Sequence, residues 1–237
     1  MPNRLAERIA SMDWNSLQLS LDEKGYAALP PLLDKEQCRA IIDTYDEESN
    51  FRSTIDMARY RFGSGEYKYY REPLPGLLQQ LRVTFYLELA KTANRWLEQL
   101  GRDAIYPAEL PEFLDQCRQQ EQLRSTPLIL KYEAGGYNCL HQDLYGEVFF
   151  PFQVVFALNQ RETDYTGGEF LLMEQRPRAQ SRGHVITLEQ GAGLIFPTNH
   201  RPVSGSRGYY RATLRHGVST ITSGIRYSLG IIFHNAK

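Results

Sequence analysis

Cysteine is scarce in this 237-residue chain: Cys38, Cys117 and Cys139 are odd in number and far apart. That excludes a disulfide framework and fits a reducing compartment. Charge of either sign is not in excess. With 27 basic and 28 acidic side chains the formal net charge is −1, which excludes a globally basic nucleic-acid binder but leaves room for a local patch. No apolar run approaches a membrane span; the longest, such as Val154 to Leu158, suit strands. The opening MPNRLAERIASMDW lacks the apolar stretch of a secretory leader, so the cytoplasm is the expected location. Internal repeats, linkers and low-complexity tracts are missing too. A chain of this length can bury one core without staples.

What is present divides near residue 125. Before it, helical signals dominate. Leu5, Ile9 and Met12 recur at helical spacing. A short extended run, Gly25–Leu29, stops at Pro30-Pro31. Asp34 with Gln37 predicts a capping box and a helix to about Glu48. Leu74-Pro75 suits a first helical turn, and Leu77, Leu81, Phe85, Leu89, Ala93, Trp96 and Leu100 form the packing stripe of a longer helix closed by Gly101. A third helix is expected over Glu112 to Leu123. From Thr126 onward short β-rich runs alternate with Gly, Pro and Asn turns: Leu128–Tyr132, Tyr137–Asp143, Pro151–Leu158, Glu169–Met173, His184–Leu188, Leu194–Phe196, Arg211–Thr220 and Ile225–His234. This predicts a mainly β sandwich or barrel with a helical N-terminal layer packed outside it. The expected organisation is one domain over 1–237, with 1–125 as mainly helical support and a candidate lid, and 126–237 as the β core.

The informative segment is Tyr132-Glu-Ala-Gly-Gly-Tyr-Asn-Cys-Leu-His141-Gln-Asp143. Side chains two apart on a strand share a side, so His141 and Asp143 can reach one metal from a strand end. His216, 75 residues beyond His141, is the candidate third ligand. Two imidazoles and a carboxylate on one face of an octahedron suit non-haem Fe(II) and leave three positions for a bidentate 2-oxo acid and O₂. Arg226 and Ser228 are also two apart. A guanidinium and a hydroxyl converging on one point suit the distal carboxylate of 2-oxoglutarate, which arginine can hold through two parallel hydrogen bonds.

The order His-x-Asp, a long gap, His216, then Arg226 ten positions later in an Arg-x-Ser motif resembles the Fe(II)/2-oxoglutarate-dependent dioxygenases with a double-stranded β-helix (jelly-roll, cupin-like) core. Gly167-Gly168-Glu169-Phe170 and Gly191–Pro197 resemble that family's turns between these landmarks, and Gly25–Ile42 its N-terminal segment. The stretch His200–Arg211 and the ending Gly230-Ile-Ile-Phe-His-Asn resemble a bacterial group described as acting oxidatively on damaged, methylated DNA. The resemblance implies a dioxygenase that uses Fe(II), 2-oxoglutarate and O₂, hydroxylates or oxidatively demethylates a substrate carbon, and releases succinate and CO₂. Tyr132 sits where AlkB-type repair dioxygenases carry a tyrosine that contacts 2-oxoglutarate. The preceding residues here are Leu130-Lys131, without that motif's asparagine, and Ile232 stands where those enzymes carry a second arginine. Tyr132 is therefore read either as a co-substrate contact or as barrel packing.

His200 is the rival third ligand, because Arg211 follows it by eleven positions, but its Pro- and Gly-rich surroundings favour His216. His184 and His234 read as barrel or surface histidines, and Cys139 as a small buried residue. Two segments interleave basic and aromatic side chains as base stacking and phosphate contact require: Phe51–Arg71, with candidate contacts Tyr69 and Arg71, and Arg201–Arg215, with Arg207, Tyr210 and Arg211. The plain reading of Phe51–Arg71 is a solvated lid. The substrate expectation is an alkylated nucleobase in DNA. Protein side-chain hydroxylation of the prolyl-hydroxylase kind, or a small-molecule substrate, is the alternative within the enzymes. A catalytically silent, metal-bound cupin-like binding module is the alternative outside them, and Arg226 with Ser228 argues against it.

Overall fold

Fourteen strands and five α-helices make up residues 3–237, the part of the chain that the computed structural model describes. The helices are α1 (Asn3–Ala10), α2 (Trp14–Lys24), α3 (Lys35–Asp43), α4 (Gly76–Gln99) and α5 (Leu110–Gln119). The first half also carries β1 (Ala27–Leu29), β2 (Phe51–Asp56), β3 (Gly63–Ser64) and β4 (Glu66–Tyr70). The rest is strands: β5 (Leu128–Glu133), β6 (Tyr137–His141), β7 (Phe152–Ala157), β8 (Tyr165–Gly167), β9 (Phe170–Gln175), β10 (Arg182–Ile186), β11 (Gly193–Pro197), β12 (His200–Gly205), β13 (Gly208–Val218) and β14 (Ile221–Ile232). None of these helices is long and apolar enough to cross a membrane.

The strands form two antiparallel sheets. An eight-stranded sheet runs β1-β11-β7-β14-β5-β4-β2, with β8 also on β14, and a six-stranded sheet runs β10-β9-β13-β6-β3, with β12 also on β13. The architecture is the expected double-stranded β-helix with helices outside. Helix α4 supplies most of that outer layer. Its buried face (Leu78, Leu81, Phe85, Leu89, Ala93, Trp96) packs on the large sheet, with Phe85 against Phe156 and Trp96 against Phe152. Strand β7 is consequently buried on both faces. Each large aromatic in this layer contributes on the order of 3–5 kcal/mol when truncation would leave a cavity. Arg82, on the same helix, is fully buried and donates to the Ile232 and Phe233 carbonyls and to Asn235 Oδ1, fastening the end of β14.

The capping box at Asp34 and Gln37 forms, but α3 ends at Asp43 and continues only as single 3₁₀ turns. Residues 14–24 add a helix capped by Asp13 and closed by Gly25. The main departure lies at 51–70. The expected lid within a helical half is instead the β2–β4 hairpin, which extends the large sheet beyond β5, while β3 at its turn pairs with β6 of the small sheet. Aromatic and β-branched side chains at alternate positions favour strands, and here they override the basic residues between them. Two of those basic residues are engaged structurally. Arg52 lies over the Tyr69 ring and donates to the Ser125 carbonyl, and Lys68 donates to the Tyr45 carbonyl beneath its ring.

Candidate active site

Between the sheets lies a cavity of about 180 Å³, and the polar residues singled out from the sequence face into it from both walls. On the small-sheet wall, His216 of β13 is the direct cross-strand neighbour of His141 of β6. Gly217 makes this pairing possible: a Cβ there would sit 2.6 Å from the Asn138 carbonyl oxygen, and the register shifts at that point. Strand β6 stops at His141, two residues short of the expected end, so Asp143 turns in from the segment just beyond. One ligand atom from each of His141, Asp143 and His216 lies within 4.8 Å of the others.

The three groups are mutually oriented. His141 Nε2 is 3.5 Å from Asp143 Oδ1, and His216 Nε2 is 3.2 Å from Asp143 Oδ2. His141 Nδ1 contacts the Cys139 carbonyl at 2.8 Å. A carbonyl only accepts, so Nδ1 carries the proton and the Nε2 lone pair faces the cavity. The His216 ring is held between Phe170 and Phe196. Burial alone would raise the Asp143 pKa, but the two imidazoles outweigh it and hold the carboxyl well below its usual range. Burial, and then the neighbouring His141, lower His216. Burial also opposes charge on His141, yet Asp143 beside it prevails and raises its pKa. An ionised carboxylate with two imidazole lone pairs fits a divalent transition metal with open coordination positions. Tyr145, unmarked in the sequence reading, donates its hydroxyl to Asp143 Oδ1 at 2.6 Å.

The large-sheet wall presents Arg226, Ser228 and Tyr132. Arg226 of β14 pairs in register with Tyr132 of β5. Its guanidinium lies 5.7 Å from the Tyr132 ring centroid and 6.0 Å from that of Tyr165. The side chain is only 4 % exposed. Its Nη1 donates to Ser228 Oγ at 3.2 Å, its Nε has no partner, and no carboxylate pairs with it among the described residues. A buried guanidinium without an anion costs several kcal/mol, so this wall fits a carboxylate ligand. Room for it depends on Gly168, whose φ is +65° and where a Cβ would stand 2.9 Å from Arg226 Cδ. Tyr132 is fully buried, and its hydroxyl accepts from Asn138 Nδ2 at 3.2 Å.

Other singled-out residues fall elsewhere. His200 begins β12 opposite Thr213 and lines a separate cavity with Trp96, Tyr106 and Phe149; burial and then Arg211 and Arg102 push its pKa down to about 4. None of the five candidate substrate contacts lines the central cavity. Tyr69 is buried edge-on between Tyr67 and Tyr145 under Arg52, which closes it to stacking on a base. Arg71 is exposed beyond β4. Arg207 lies in the β12–β13 turn, and at ~3.4 Å per residue Tyr210 and Arg211 stand roughly 17–20 Å along β13 from His216. Cys139 is exposed rather than buried, because β6 is an outer segment of its sheet with β3 covering only part of it. His184 packs edge-on against Tyr26, and His234 is buried against Tyr145.

Comparison with known proteins adds three findings. A family described as "Oxygenase, catalysing oxidative methylation of damaged DNA" matches residues 65–236. Two curated relatives from Mycobacterium tuberculosis, the uncharacterized proteins Rv2227 (strain H37Rv) and MT2286 (strain CDC 1551), are each 52 % identical over 164 residues, covering 69 % of this chain and 70 % of theirs. Among solved structures, a prolyl-4-hydroxylase from Pseudomonas putida superposes with a TM-score of 0.58 at 14 % identity, over 94 % of this chain and 100 % of that one. A prolyl hydroxylase from Trichoplax adhaerens, in complex with a hypoxia-inducible-factor peptide, gives 0.58 at 15 % identity over 97 % and 90 %. At that identity the two structures share the fold with this chain.

Proposed function

Since this chain belongs to the oxygenase family described as catalysing oxidative methylation of damaged DNA, we propose that its substrate is an alkylated base in DNA and that it oxidises a C–H bond of the alkyl group. The enzyme is an Fe(II)- and 2-oxoglutarate-dependent dioxygenase. Iron, 2-oxoglutarate and O₂ supply the oxidising power when bound, and the co-substrate leaves as succinate and CO₂. The chain's own residues supply placement. In this reading His141, Asp143 and His216 hold the iron, Asp143 as the anion and both histidines through Nε2. Arg226 and Ser228 receive the distal carboxylate of 2-oxoglutarate, with Tyr132 forming the floor beside them. Tyr145 keeps one Asp143 oxygen engaged so that the other faces the metal. The apolar side chains around the cavity, Phe170, Phe196 and Val155 among them, limit water near the reacting carbon.

The observation that carries this reading is one cavity that has, on one wall, a buried guanidinium with no anionic partner among the described residues and, on the other, a self-assembled His-Asp-His face. Hydroxylating a methyl carbon attached to nitrogen gives an N–CH₂–OH group, which breaks down to the N–H base and formaldehyde, so oxidation here removes the methyl group. Residues 1–237 then act as one dioxygenase domain, working in the cytoplasm on DNA.

The test is succinate and formaldehyde formation by the iron-loaded enzyme with oligodeoxynucleotides carrying single N-methylated bases. Stimulated succinate with equimolar formaldehyde is expected. Turnover that ignores every methylated strand but responds to peptides or small molecules would replace the DNA substrate with the hydroxylase alternative.

A further inference from the structure

The β2–β4 hairpin carries at its turn the sequence Arg59-Tyr60-Arg61-Phe62, and the fold sets this turn at the mouth of the cavity. Phe62 lines the cavity together with His141 and Asp143. The turn is held firmly. The Phe62 carbonyl accepts from the Cys139 N–H at 2.8 Å, on the strand that carries His141, and the Phe62 N–H donates to the Met57 carbonyl at 3.0 Å. Asp56 caps the start of the turn through the Ala58 N–H. Arg61 holds a left-handed φ of 59°, a conformation that costs a non-glycine residue of order 1 kcal/mol and persists where surrounding contacts impose it.

The side chains on this rigid support have nothing to hold. Tyr60 and Phe62 are 56 % and 46 % exposed, and their rings stack at 5.6 Å with 19° between planes. The guanidinium groups of Arg59 and Arg61 are exposed and make no hydrogen bond or ion pair with other described residues, unlike those of Arg52 and the ammonium of Lys68 in the same hairpin. A flat aromatic step flanked by two free guanidinium groups matches a strand of nucleotides: bases for the rings, phosphates for the arginines.

We propose that the Arg59–Phe62 turn is the docking element for single-stranded DNA, with Tyr60 stacking on a base next to the one being oxidised and Arg59 and Arg61 gripping the flanking phosphates. This rests on the DNA-base reading of the site and says which surface delivers the base and in which form. A duplex keeps its base faces stacked on one another and offers Tyr60 none, so the strand must be unpaired or opened at the target.

The experiment is fluorescence anisotropy of a labelled single-stranded oligodeoxynucleotide bearing one N-methylated base, added anaerobically to full-length protein loaded with Fe(II) and 2-oxoglutarate, from low to physiological salt. Tyr60→Ala is expected to weaken binding about 5- to 150-fold, the range of one stacked base. Arg59→Ala/Arg61→Ala should flatten the plot of log affinity against log salt by about 1.4, two phosphates at ~0.7 each for a single strand. Arg178→Ala, in the β9–β10 turn, should match wild type, and the 2-oxoglutarate charge-transfer absorbance of each variant verifies its fold. Wild-type binding with both turn variants unchanged overturns the docking assignment and leaves the substrate reading intact. Tighter binding of the duplex or of the matching RNA strand overturns the choice of single-stranded DNA. A wild-type enzyme that neither binds the strand nor makes succinate on it overturns both.

Discussion

On the small-sheet wall of the cavity, three polar side chains are gathered: Asp143 lies between His141 and His216, and Tyr145 donates to the same carboxylate. On the large-sheet wall, Arg226 has one hydroxyl partner and no anion among the described residues. The first wall carries one anion among donor atoms that a metal cation would complete; the second carries a buried cation that a dicarboxylate would neutralise. The walls also differ behind. The large sheet is backed by α4, whereas β9 and β13 of the small sheet turn exposed residues such as Gln175, Thr213 and Arg215 to solvent. The metal face can therefore assemble with the fold, and binding at Arg226 relieves a cost that the fold leaves standing.

Removing a ligand from the small-sheet wall should have the largest effect. His141→Ala, Asp143→Ala and His216→Ala should each abolish iron-dependent succinate formation and metal retention while far-ultraviolet circular dichroism stays near wild type. His200→Ala, on its separate cavity, should retain iron. Metal analysis after gel filtration decides this. Loss of iron in His200→Ala with retention in His216→Ala would reverse the ligand assignment.

Next in size is a stability effect behind the same wall. Glu174 of β9 and Arg201 of β12 are each 2 % exposed and paired at 2.6 Å, and Arg201 also donates to the Asp22 and Glu23 carbonyls, tying the small sheet to the end of α2. Glu174→Gln leaves that guanidinium buried without its anion and should cost about 3–5 kcal/mol in urea unfolding at neutral pH. Burial alone would raise the Glu174 pKa, but Arg176 and Arg201 outweigh it and hold it below the ordinary value. The wild-type contribution is therefore present above the unfolded carboxyl pKa of about 4.3 and is lost as pH falls through the lower folded value. The gap between wild type and variant should narrow across that acid range, and a gap independent of pH would rule out the ion pair as its source.

On the large-sheet wall, Arg226→Ala should weaken 2-oxoglutarate roughly 10- to 150-fold, the equivalent of about 1.5–3 kcal/mol for a charged hydrogen bond. Iron affinity should hardly move. Titrating the anaerobic iron form with 2-oxoglutarate and following its charge-transfer absorbance measures this. An unaltered midpoint would remove Arg226 from the co-substrate site.

The contrast between the walls bears on what was legible in the sequence. His141, Asp143, His216, Arg226 and Ser228 could be singled out because each strand carries its side chains at period two and their order matches a known family. Their convergence is visible in the structure, where β6 and β13 put two histidines directly opposite. The strand-rich second half and the stripe of α4 were readable from periodicity. The β2–β4 hairpin was not, because its arginines and tyrosines read as a solvated lid; the alternation Phe51-Ser53-Ile55 and Tyr67-Tyr69 was the strand signal within it. The packing of Tyr69 within the hairpin, between Tyr67 and Tyr145 and under Arg52, was hidden for the same reason. Tyr145 left no mark, since a tyrosine two residues past an aspartate takes on meaning only when the chain turns at His141 and folds the ring back.

Tyr145 also joins the two walls, and its removal is the smallest and most discriminating change. It follows β6 of the small sheet in sequence, but its ring packs against Tyr69 of β4 and against His234, just beyond β14, both belonging to the large-sheet side. Burial, and then the Asp143 charge, raise its pKa well above the usual phenol value, so the hydroxyl stays protonated and donates to Oδ1. With that oxygen engaged, Asp143 would offer one atom to a bound metal and leave free the position that its second oxygen would otherwise take. Tyr145→Phe preserves the ring contacts and deletes only the donor. Outer partners of metal ligands are typically worth 10- to 100-fold in metal affinity, so about tenfold weaker iron binding is expected in chelator competition. Metal coordination number by X-ray absorption should rise as the freed carboxylate turns bidentate, and 2-oxoglutarate should then bind more weakly through loss of an open position with Arg226 intact. Wild-type iron affinity together with an unchanged coordination number would show that Asp143 is oriented without the Tyr145 hydroxyl, and the arrangement of the small-sheet wall would then owe nothing to the large one.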